Sequence, residues 1–454
     1  MISEEKYRGS IKLSAIGDAL GWMTEFESSV ETVKKKFGKE KITEFYSWKK
    51  ATGGRFYGYV DNIKAGSYSD DTQLSLAVAR SINEKGCVDN NYFSKIELVD
   101  SLYYLRGGGK TIKAAAKELK KNDINWFNNF FTYKIRSQSI DYRQSGANGA
   151  AMRILPIALV NIKDFNKLKE EIFCNSIITH GHPRALIGAM LYGYALQTIM
   201  RFCSNSFFWK DFIVQIGSDF VNKFSLSFFQ KTEIKNWINN WNQGSNQSFE
   251  NLYTGVLEET VNYLRIVYKC LKNDVDVRDT LNLLGCFDIS TKGSGTSTVI
   301  AGIYLATKFH DKPLEAIIEA VNSIGSDTDS IAAFTGALMG ALYGDSIIPN
   351  KWNLIQDREY LDKIALQLFN FANGRAKKDD FLHNLSKVDL KDIDENSFNN
   401  GMDFIVSFRP LGLGKVLCVD RQDTLIKEKY RLIFEIKFDN GQSIVVSKLL
   451  NKKK

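Results

Sequence analysis

Apolar residues recur every three or four positions through most of the chain up to about residue 375, for example over residues 72–80. This periodicity predicts helices that each bury one face. The 454 residues include only 5 prolines, which favours long helices because proline removes a helix donor and clashes with the preceding turn. Residues 187–196 and 331–343 mix Ala and Gly with large apolar side chains, as expected of closely packed core helices. We therefore predict an all-α domain over residues 1–378.

Two regions depart from this pattern. About residues 201–248 are rich in Phe, Trp, Asn, Lys and Ser, which predicts an inserted helical flap or rim whose aromatic side chains either stack on a ligand base or, more commonly, pack together. Polar, acidic and Asn-rich residues predict a linker at 379–400. Residues 401–454 alternate apolar and polar positions around an Asp-Asn-Gly turn, which predicts a small C-terminal β-barrel with a weak likeness to SH3-like and Tudor-like folds. The helical domain is expected not to need this unit for folding.

Composition excludes several classes of protein. The hydrophobic fraction of 44% and the charged fraction of 25% are those of an ordinary folded chain rather than a disordered one. The start of the chain lacks the features of a signal peptide, and the most apolar stretch, 185–200, is shorter than a bilayer span, so we predict a cytoplasmic protein without a membrane segment. The six cysteines form no C-x-x-C pair, which argues against a zinc site or a disulfide framework.

The net charge of +8 is a mild excess, because 60 basic residues face 52 acidic ones. A solvated surface explains it better than a nucleic-acid footprint. Residues 401–454 nevertheless carry 11 Lys and Arg against 6 Asp and Glu, an excess of +5. Contact with a nucleic acid through this C-terminal unit therefore stays open as an alternative.

The sharpest chemical signal is a pair of acidic clusters at presumed helix starts, Ser-Asp-Asp-Thr at 69–72 and Ser-Asp-Thr-Asp-Ser at 326–330. One such cluster alone is typical of helix capping. Four Asp carboxylates brought together would repel one another unless a cation neutralised them. A donor set made only of oxygen suits Mg²⁺ or Mn²⁺ and not a typical zinc site. Two clusters on different helices could hold a two-metal centre.

Three further elements carry possible binding chemistry. Gly-Asp-Ala-Leu-Gly at 17–21 is followed four residues later by Glu25. Gly-Ala-Asn-Gly-Ala-Ala-Met-Arg at 146–153 opens an apolar helix, where backbone N–H groups suit a diphosphate, although a tight turn is an equal alternative. Thr-His-Gly-His-Pro at 179–183 holds two of the four histidines, which are expected to line a cavity or cap a helix.

Taken in the order of the chain, the five elements resemble the ADP-ribosylglycohydrolase family of the dinitrogenase reductase-activating type, from about residue 10 to 371. The resemblance implies an all-α fold with two Mg²⁺ (or Mn²⁺) ions in a cleft. It implies that the metal ligands are Ser69, Asp70, Asp71, Asp327, Asp329 and Ser330. It implies catalytic roles for Glu25, as a mobile acidic residue near the water or substrate, and for Asp70 and Asp71. It implies that ADP-ribose is bound by Gly109, Thr111, Asn148, Gly149, Ala150, Met152, His180 and His182.

The expected function is metal-dependent hydrolysis of the glycosidic bond between ADP-ribose and an acceptor, with an ADP-ribosylated protein or peptide as the substrate. Serine stands at Ser69 and Ser330 where many members of the family have threonine, and either residue supplies the hydroxyl. Two alternatives remain. One is a hydrolase directed to ADP-ribosylated nucleic acid by the C-terminal unit. The other is a non-catalytic relative that only binds ADP-ribose or has a structural role, although such a relative would not need uncompensated carboxylates.

Overall fold

The computed structural model describes residues 2–135, 137–375, 389–392 and 404–452. Within these residues the prediction of a helical domain is confirmed, and the α-helices are α1 Glu4–Gly21, α2 Val30–Phe37, α3 Gly54–Tyr57, α4 Asp70–Ser81, α5 Asn90–Tyr92, α6 Leu98–Ser101, α7 Lys110–Glu118, α8 Leu155–Val160, α9 Phe165–Ile177, α10 Pro183–Ile199, α11 Trp209–Gly217, α12 Phe220–Lys223, α13 Thr232–Gln243, α14 Phe249–Lys272, α15 Val277–Leu283, α16 Gly295–Lys308, α17 Pro313–Val321, α18 Thr328–Tyr343 and α19 Arg358–Ala372. A π-helical stretch, Phe93–Glu97, joins α5 to α6. Most of the predicted linker at 379–400 lies outside the described residues.

Two short antiparallel hairpins interrupt the helices, β1 (Trp48–Thr52) with β2 (Tyr59–Ile63) and β3 (Thr132–Ile135) with β4 (Gln138–Asp141). The helical domain is therefore not purely α, and the all-α prediction is wrong for these four strands. Their strands have only four or five residues, too few to show a clear period-two pattern. Among the described residues, none of the helices has both the length and the apolar character needed to cross a bilayer.

The centre of the fold is an antiparallel pair, α1 against α18, packed through glycines. A Cβ on Gly17 would lie 2.8 Å from the backbone nitrogen of Ala333, and one on Gly21 would lie 2.5 Å from Cα of Asp329. Only glycine allows such close contact of two helix backbones. The C-terminal end of α1 therefore lies against the N-terminal end of α18. The predicted core segments 187–196 and 331–343 lie in α10 and α18, which are buried along nearly their whole length.

The aromatic-rich insert is helical, as predicted, and comprises α11, α12 and α13. Its two buried tryptophans are part of the core and do not face a ligand. Trp237, 0% exposed, donates from Nε1 to the hydroxyl of Tyr142 at 3.0 Å. Trp241, 2% exposed, donates from Nε1 to the carbonyl of Gly181 at 2.9 Å. The insert thus packs against the 179–183 segment and donates a hydrogen bond to its backbone.

The C-terminal residues form a four-stranded antiparallel meander in the order β5 (Ile405–Phe408), β6 (Gly412–Asp423), β7 (Lys429–Phe438) and β8 (Ser443–Asn451). Inward-facing residues alternate along β7, as the sequence pattern predicted. β5 and β8 are the two edges, and no pairing between them is seen in the described strands, so closure into a barrel is not shown.

The C-terminal sheet packs directly on the helical domain. Tyr104 is buried in the same apolar cluster as Phe408, Phe434 and the other inward-facing residues of the sheet. The side chain of Gln422 donates to the carbonyl of Val60 at 3.0 Å and accepts from its N–H at 2.9 Å. The sheet and the helical domain therefore share buried surface and side chain-to-backbone hydrogen bonds, which argues against the expectation that the helical domain does not need this unit for folding.

Candidate metal centre

The first acidic cluster forms the N-terminal turn of α4, with Ser69 as the N-cap. Asp18 on α1 holds this turn, because its carboxylate accepts the N–H of Ser69 at 3.1 Å and both the N–H and the hydroxyl of Thr72, at 3.0 and 2.5 Å. Asp18 is 0% exposed. Asp18 thus satisfies the N–H groups of Ser69 and Thr72, and Ser69 Oγ accepts that of Asp71, so the turn is free to present Asp70 and Asp71 to another partner. Asp18 is not among the site residues predicted from the sequence, although its position inside the Gly-Asp-Ala-Leu-Gly motif is a signal.

The second cluster forms the start of α18, and the fold brings it against the first. Asp327 is the N-cap, and Asp329 and Ser330 lie in the first turn. The hydroxyl of Ser330 donates to Asp71 Oδ2 at 2.6 Å, which joins the two clusters directly. Glu25 lies in the turn after α1, and one carboxylate oxygen from each of Glu25, Asp327 and Asp329 lies within 4.8 Å of the others. The fold therefore joins Asp71 to the second cluster and Glu25, and Ser69 and Asp70 belong to the same helix start as Asp71.

Burial and mutual repulsion disfavour ionisation of the first cluster. Asp70 is 8% exposed and Asp71 5% exposed. Burial, followed by the nearby charge of Asp18, raises the pKa of Asp70 to about 7. The same two causes raise the pKa of Asp71 well above its usual range. These carboxylates are costly to ionise unless a positive charge lies beside them.

The second cluster shows the same electrostatics. Burial, followed by the charge of Asp327, raises the pKa of Glu25 to about 8. Burial, followed by the charge of Glu25, raises the pKa of Asp329 well above its usual range. In the described part of the chain, no lysine or arginine nitrogen forms an ion pair with these carboxylates. A largely buried group of oxygen donors that repel one another when ionised fits Mg²⁺ or Mn²⁺, which take oxygen ligands.

Two lysines of the described part of the chain, Lys113 and Lys50, lie near Asp70 without forming an ion pair with it. Lys50 on β1 places Nζ 3.7 Å from the centre of the Phe26 ring. Burial lowers the pKa of Lys50, while the charges of Glu25 and Asp329 oppose that effect. Sequence reasoning missed Lys50, because it lies on a short hairpin outside every motif.

A cavity of about 200 Å³ adjoins the acidic cluster on the side of the 146–153 loop. Its lining includes Gly146, His182, Arg184, Lys292 and Gly293. A Cβ on Gly293 would lie 2.8 Å from Asp327 Oδ2, so this lining residue touches the second cluster, whose carboxylates are not themselves part of the lining. His182 both lines the cavity and caps α10, where its Nδ1 accepts the N–H of Arg184 at 3.1 Å.

Of the other residues predicted to bind ADP-ribose, Asn148 contacts the acidic cluster, whereas Gly149 and His180 pack against each other behind it. Asn148 lies at the cluster, because its side-chain amide donates to Asp327 Oδ2 at 3.1 Å. Behind it, a Cβ on Gly149 would lie 2.8 Å from the ring of His180, which is 1% exposed. Burial, followed by the charge of Arg153, lowers the pKa of His180 to about 3, so this ring is neutral. His180 therefore packs behind the loop and does not line the cavity.

Ala150 and Met152 are 0% and 7% exposed and belong to the core. Gly109 is the N-cap of α7, and the hydroxyl of Thr111 donates to Tyr133 at 2.8 Å. Of this segment, Gly107 touches the cluster most closely, since any Cβ there would collide with the carboxylate of Asp70. Because Ala150 and Met152 are buried in the core, neither residue lines the cavity.

The chain is similar to known proteins over most of its length. A family model described as ADP-ribosylglycohydrolase matches residues 2–378. The ADP-ribosylarginine hydrolase Tri1 of Serratia proteamaculans is 24% identical over 388 residues, which cover 82% of this chain and 80% of that protein. An ADP-ribosyl-[dinitrogen reductase] glycohydrolase of Rhodospirillum rubrum is 29% identical over 177 residues, covering 37% of this chain and 49% of that protein.

A solved structure described as an ADP-ribosylglycohydrolase-related protein complex is 18% identical, with a TM-score of 0.49, and the match covers 81% of this chain and 98% of that one. The family model alone spans well over half of the chain. The chain therefore belongs to the ADP-ribosylglycohydrolase family and is a glycosidic-bond hydrolase.

Proposed function

We propose that this chain is a metal-dependent hydrolase that removes ADP-ribose from ADP-ribosylated protein side chains. The observation that carries the proposal is the meeting of the two acidic clusters through the bond from Ser330 to Asp71. Two Mg²⁺ or Mn²⁺ ions would be held there by the six oxygen donors Ser69, Asp70, Asp71, Asp327, Asp329 and Ser330. The raised pKa values of Asp70 and Asp71 support this, because a cation would remove the cost of their ionisation.

When bound, the ions would supply Lewis-acid chemistry, polarising the distal ribose hydroxyls and a water near C1″. The chain's own carboxylates would stabilise the positive charge that develops on the ribose ring as the leaving group departs. Glu25, whose carboxylate lies beside those of Asp327 and Asp329, would exchange a proton with the water or the leaving group. This differs from the usual glycosidase, in which a pair of carboxylates does this work alone.

The cavity beside the 146–153 loop is the proposed position of the ADP-ribose diphosphate. Lys292 places positive charge on its lining, whereas the guanidinium of Arg184 is paired with Glu259. Asn148 and Gly293 connect the cavity to Asp327. A diphosphate there would put the distal ribose on the side of the acidic cluster.

The acceptor is proposed to be protein, with ADP-ribosylated arginine as the first candidate. The support is the naming of two relatives, an ADP-ribosylarginine hydrolase and an ADP-ribosyl-[dinitrogen reductase] glycohydrolase. The basic C-terminal sheet gives little support to a nucleic-acid acceptor, because Arg409 and Lys437 form ion pairs with Asp100 and Asp357 of the helical domain. Its description as an SH3-like or Tudor-like barrel stays a prediction.

The test is a set of ADP-ribosylated arginine, serine and cysteine peptides and ADP-ribosylated DNA and RNA, each assayed for release of ADP-ribose. We expect release from the arginine peptide, dependent on Mg²⁺ or Mn²⁺ and lost in Asp71→Asn. The matched control is Asp164→Asn, an exposed helix cap where Asn serves as well as Asp. Full turnover in excess chelator would overturn the metal centre. Binding of ADP-ribose without release from any substrate would favour the non-catalytic alternative.

A further inference from the structure

The segment that leads into the first acidic cluster is held by the segment that leads into α19. The hydroxyl of Tyr68, the residue before Ser69, donates to Asp357 Oδ2 at 2.8 Å, and Tyr68 is 0% exposed. The carbonyl of Gly66 accepts the N–H of Gln356 at 2.9 Å. A Cβ on Gly66, which has φ +82°, would lie 2.7 Å from the carbonyl carbon of Leu354. The two segments therefore fit together closely.

The carboxylate of Asp357 also contacts the C-terminal sheet. Its Oδ2 accepts the backbone N–H of Ser443 on β8 at 2.7 Å, and its Oδ1 lies 3.0 Å from Nζ of Lys437 on β7. The Asp357 side chain is only 2% exposed. One buried carboxylate thus joins the metal-binding turn to two strands of the sheet.

The same sheet holds the other end of α4. The guanidinium of Arg80, in the last turn of the helix, donates to the side chain of Gln442 in the β7–β8 turn and to both carboxylate oxygens of Glu97 at 2.7 Å. α4 begins with Asp70 and Asp71, so both ends of the ligand-bearing helix are attached to the sheet.

We propose that Asp357 is a positioning residue, through which the C-terminal sheet fixes the turn 69–71 for metal binding. The inference rests on the proposed function in one respect, that this turn holds the ions. Asp357 touches no ligand position itself and acts through the hydroxyl of Tyr68. Carboxylates that repel one another keep a fixed arrangement only when their backbone is held, and Tyr68 is the residue adjacent to Ser69.

The test measures binding of Mn²⁺ to the full-length chain without substrate, from the free Mn²⁺ signal in electron paramagnetic resonance. Tyr68→Phe removes the hydroxyl and leaves the contacts of Asp357 with the sheet. We expect its Mn²⁺ affinity to fall on the order of tenfold, the effect of one lost hydrogen bond to a charged group. The matched control is Tyr253→Phe, where a hydroxyl of a 1% exposed tyrosine donates to the carbonyl of Phe224 at 2.7 Å, far along the chain from the cluster.

A second variant removes a contact between Asp357 and the C-terminal sheet. Lys437→Met removes a half-exposed partner of Asp357 and carries little risk of unfolding. We expect a loss of Mn²⁺ affinity by a few-fold and no additional loss when it is combined with Tyr68→Phe, since its effect passes through the same hydroxyl.

The outcomes separate this inference from the proposed function. Unchanged Mn²⁺ affinity in a folded Tyr68→Phe protein, or an equal loss in Tyr253→Phe, would overturn the positioning role and leave the hydrolase proposal standing. A wild-type chain that binds Mn²⁺ but releases no ADP-ribose would overturn the hydrolase proposal alone. Fully additive losses in Tyr68→Phe and Lys437→Met would overturn the route through Asp357.

Discussion

Replacing Asp70 by asparagine should stabilise the metal-free protein. Asp70 is 8% exposed and faces the charge of Asp18, and its pKa is about 7 against 3.8 for a solvated aspartate. A difference of one in pKa corresponds to about 1.36 kcal/mol, so the ionised carboxylate destabilises the fold by about 4 kcal/mol at pH 8. Local relaxation and water entry reduce this cost, so we expect Asp70→Asn to raise the free energy of unfolding by about 2–4 kcal/mol.

The increase in the free energy of unfolding caused by Asp70→Asn should grow as the pH rises. The folded pKa of Asp70 lies above the unfolded one, so the protonated carboxyl contributes stability that is complete below about pH 4 and is lost as pH rises through 7. The difference between wild type and Asp70→Asn should therefore be about 2 kcal/mol larger at pH 8 than at pH 5.5. Added Mg²⁺ should stabilise the wild type and have little effect on the variant.

The assay is urea unfolding followed by circular dichroism, in excess chelator at both pH values and then with Mg²⁺. The control is Asp164→Asn, in which an exposed cap that accepts the N–H of Lys167 is replaced by an equally good one, and whose stability should not change. A metal-free Asp70→Asn protein less stable than the wild type at pH 8 would refute the reasoning. It would show that the Asp70 carboxylate is stabilised by the N-terminus of α4 and is not under repulsion.

Three other predictions follow from the same site. Asp329→Asn should lower turnover by orders of magnitude with the fold intact in circular dichroism, whereas Glu25→Gln should lower turnover with less change in the Mg²⁺ concentration for half-maximal activity. ADP-ribose should raise the melting temperature with Mg²⁺ and much less in chelator, since a ligand at a hundredfold excess over Kd stabilises the folded state by about 2.7 kcal/mol; equal shifts in both buffers would contradict a metal-linked site. Removing residues 404–454 should lower the melting temperature and abolish turnover even on a small substrate, because it uncovers Tyr104 and breaks the Lys437–Asp357 ion pair. Full activity of the truncated chain would contradict this prediction.

The parts of the site that the sequence predicted are those with local signatures. A Ser-Asp pattern at the start of an apolar helical period marks a helix start, and an excess of carboxylates over what capping needs marks a cation site. Both helix starts are present, and their ligand residues lie together through Ser330 and Asp71. The roles of these residues in metal binding and catalysis stay predictions.

The parts that the sequence did not predict depend on contacts between distant segments. Nothing around Asp357 indicates that it will accept the N–H of Ser443, which lies 86 residues further along the chain. Lys50 comes close to the cluster only because a short hairpin folds over it. The tryptophans of the insert could have faced a ligand or the core, and only packing distinguishes the two, which buries Trp237 and Trp241.

The glycine contacts between α1 and α18 have a consequence for which mutations the enzyme can tolerate. Gly17 faces Ala332 and Gly21 faces Thr328, so each step of four residues along one helix matches four along the other. A single added methyl at Gly17, which is not itself one of the predicted ligands, would force the helices apart or make them slide. Glu25 follows one helix and Asp329 begins the other, so a change in the packing of the two helices would move these two carboxylates relative to each other. Mutations of Gly17 or Gly21 should therefore reduce activity although neither glycine is a predicted ligand of metal or substrate.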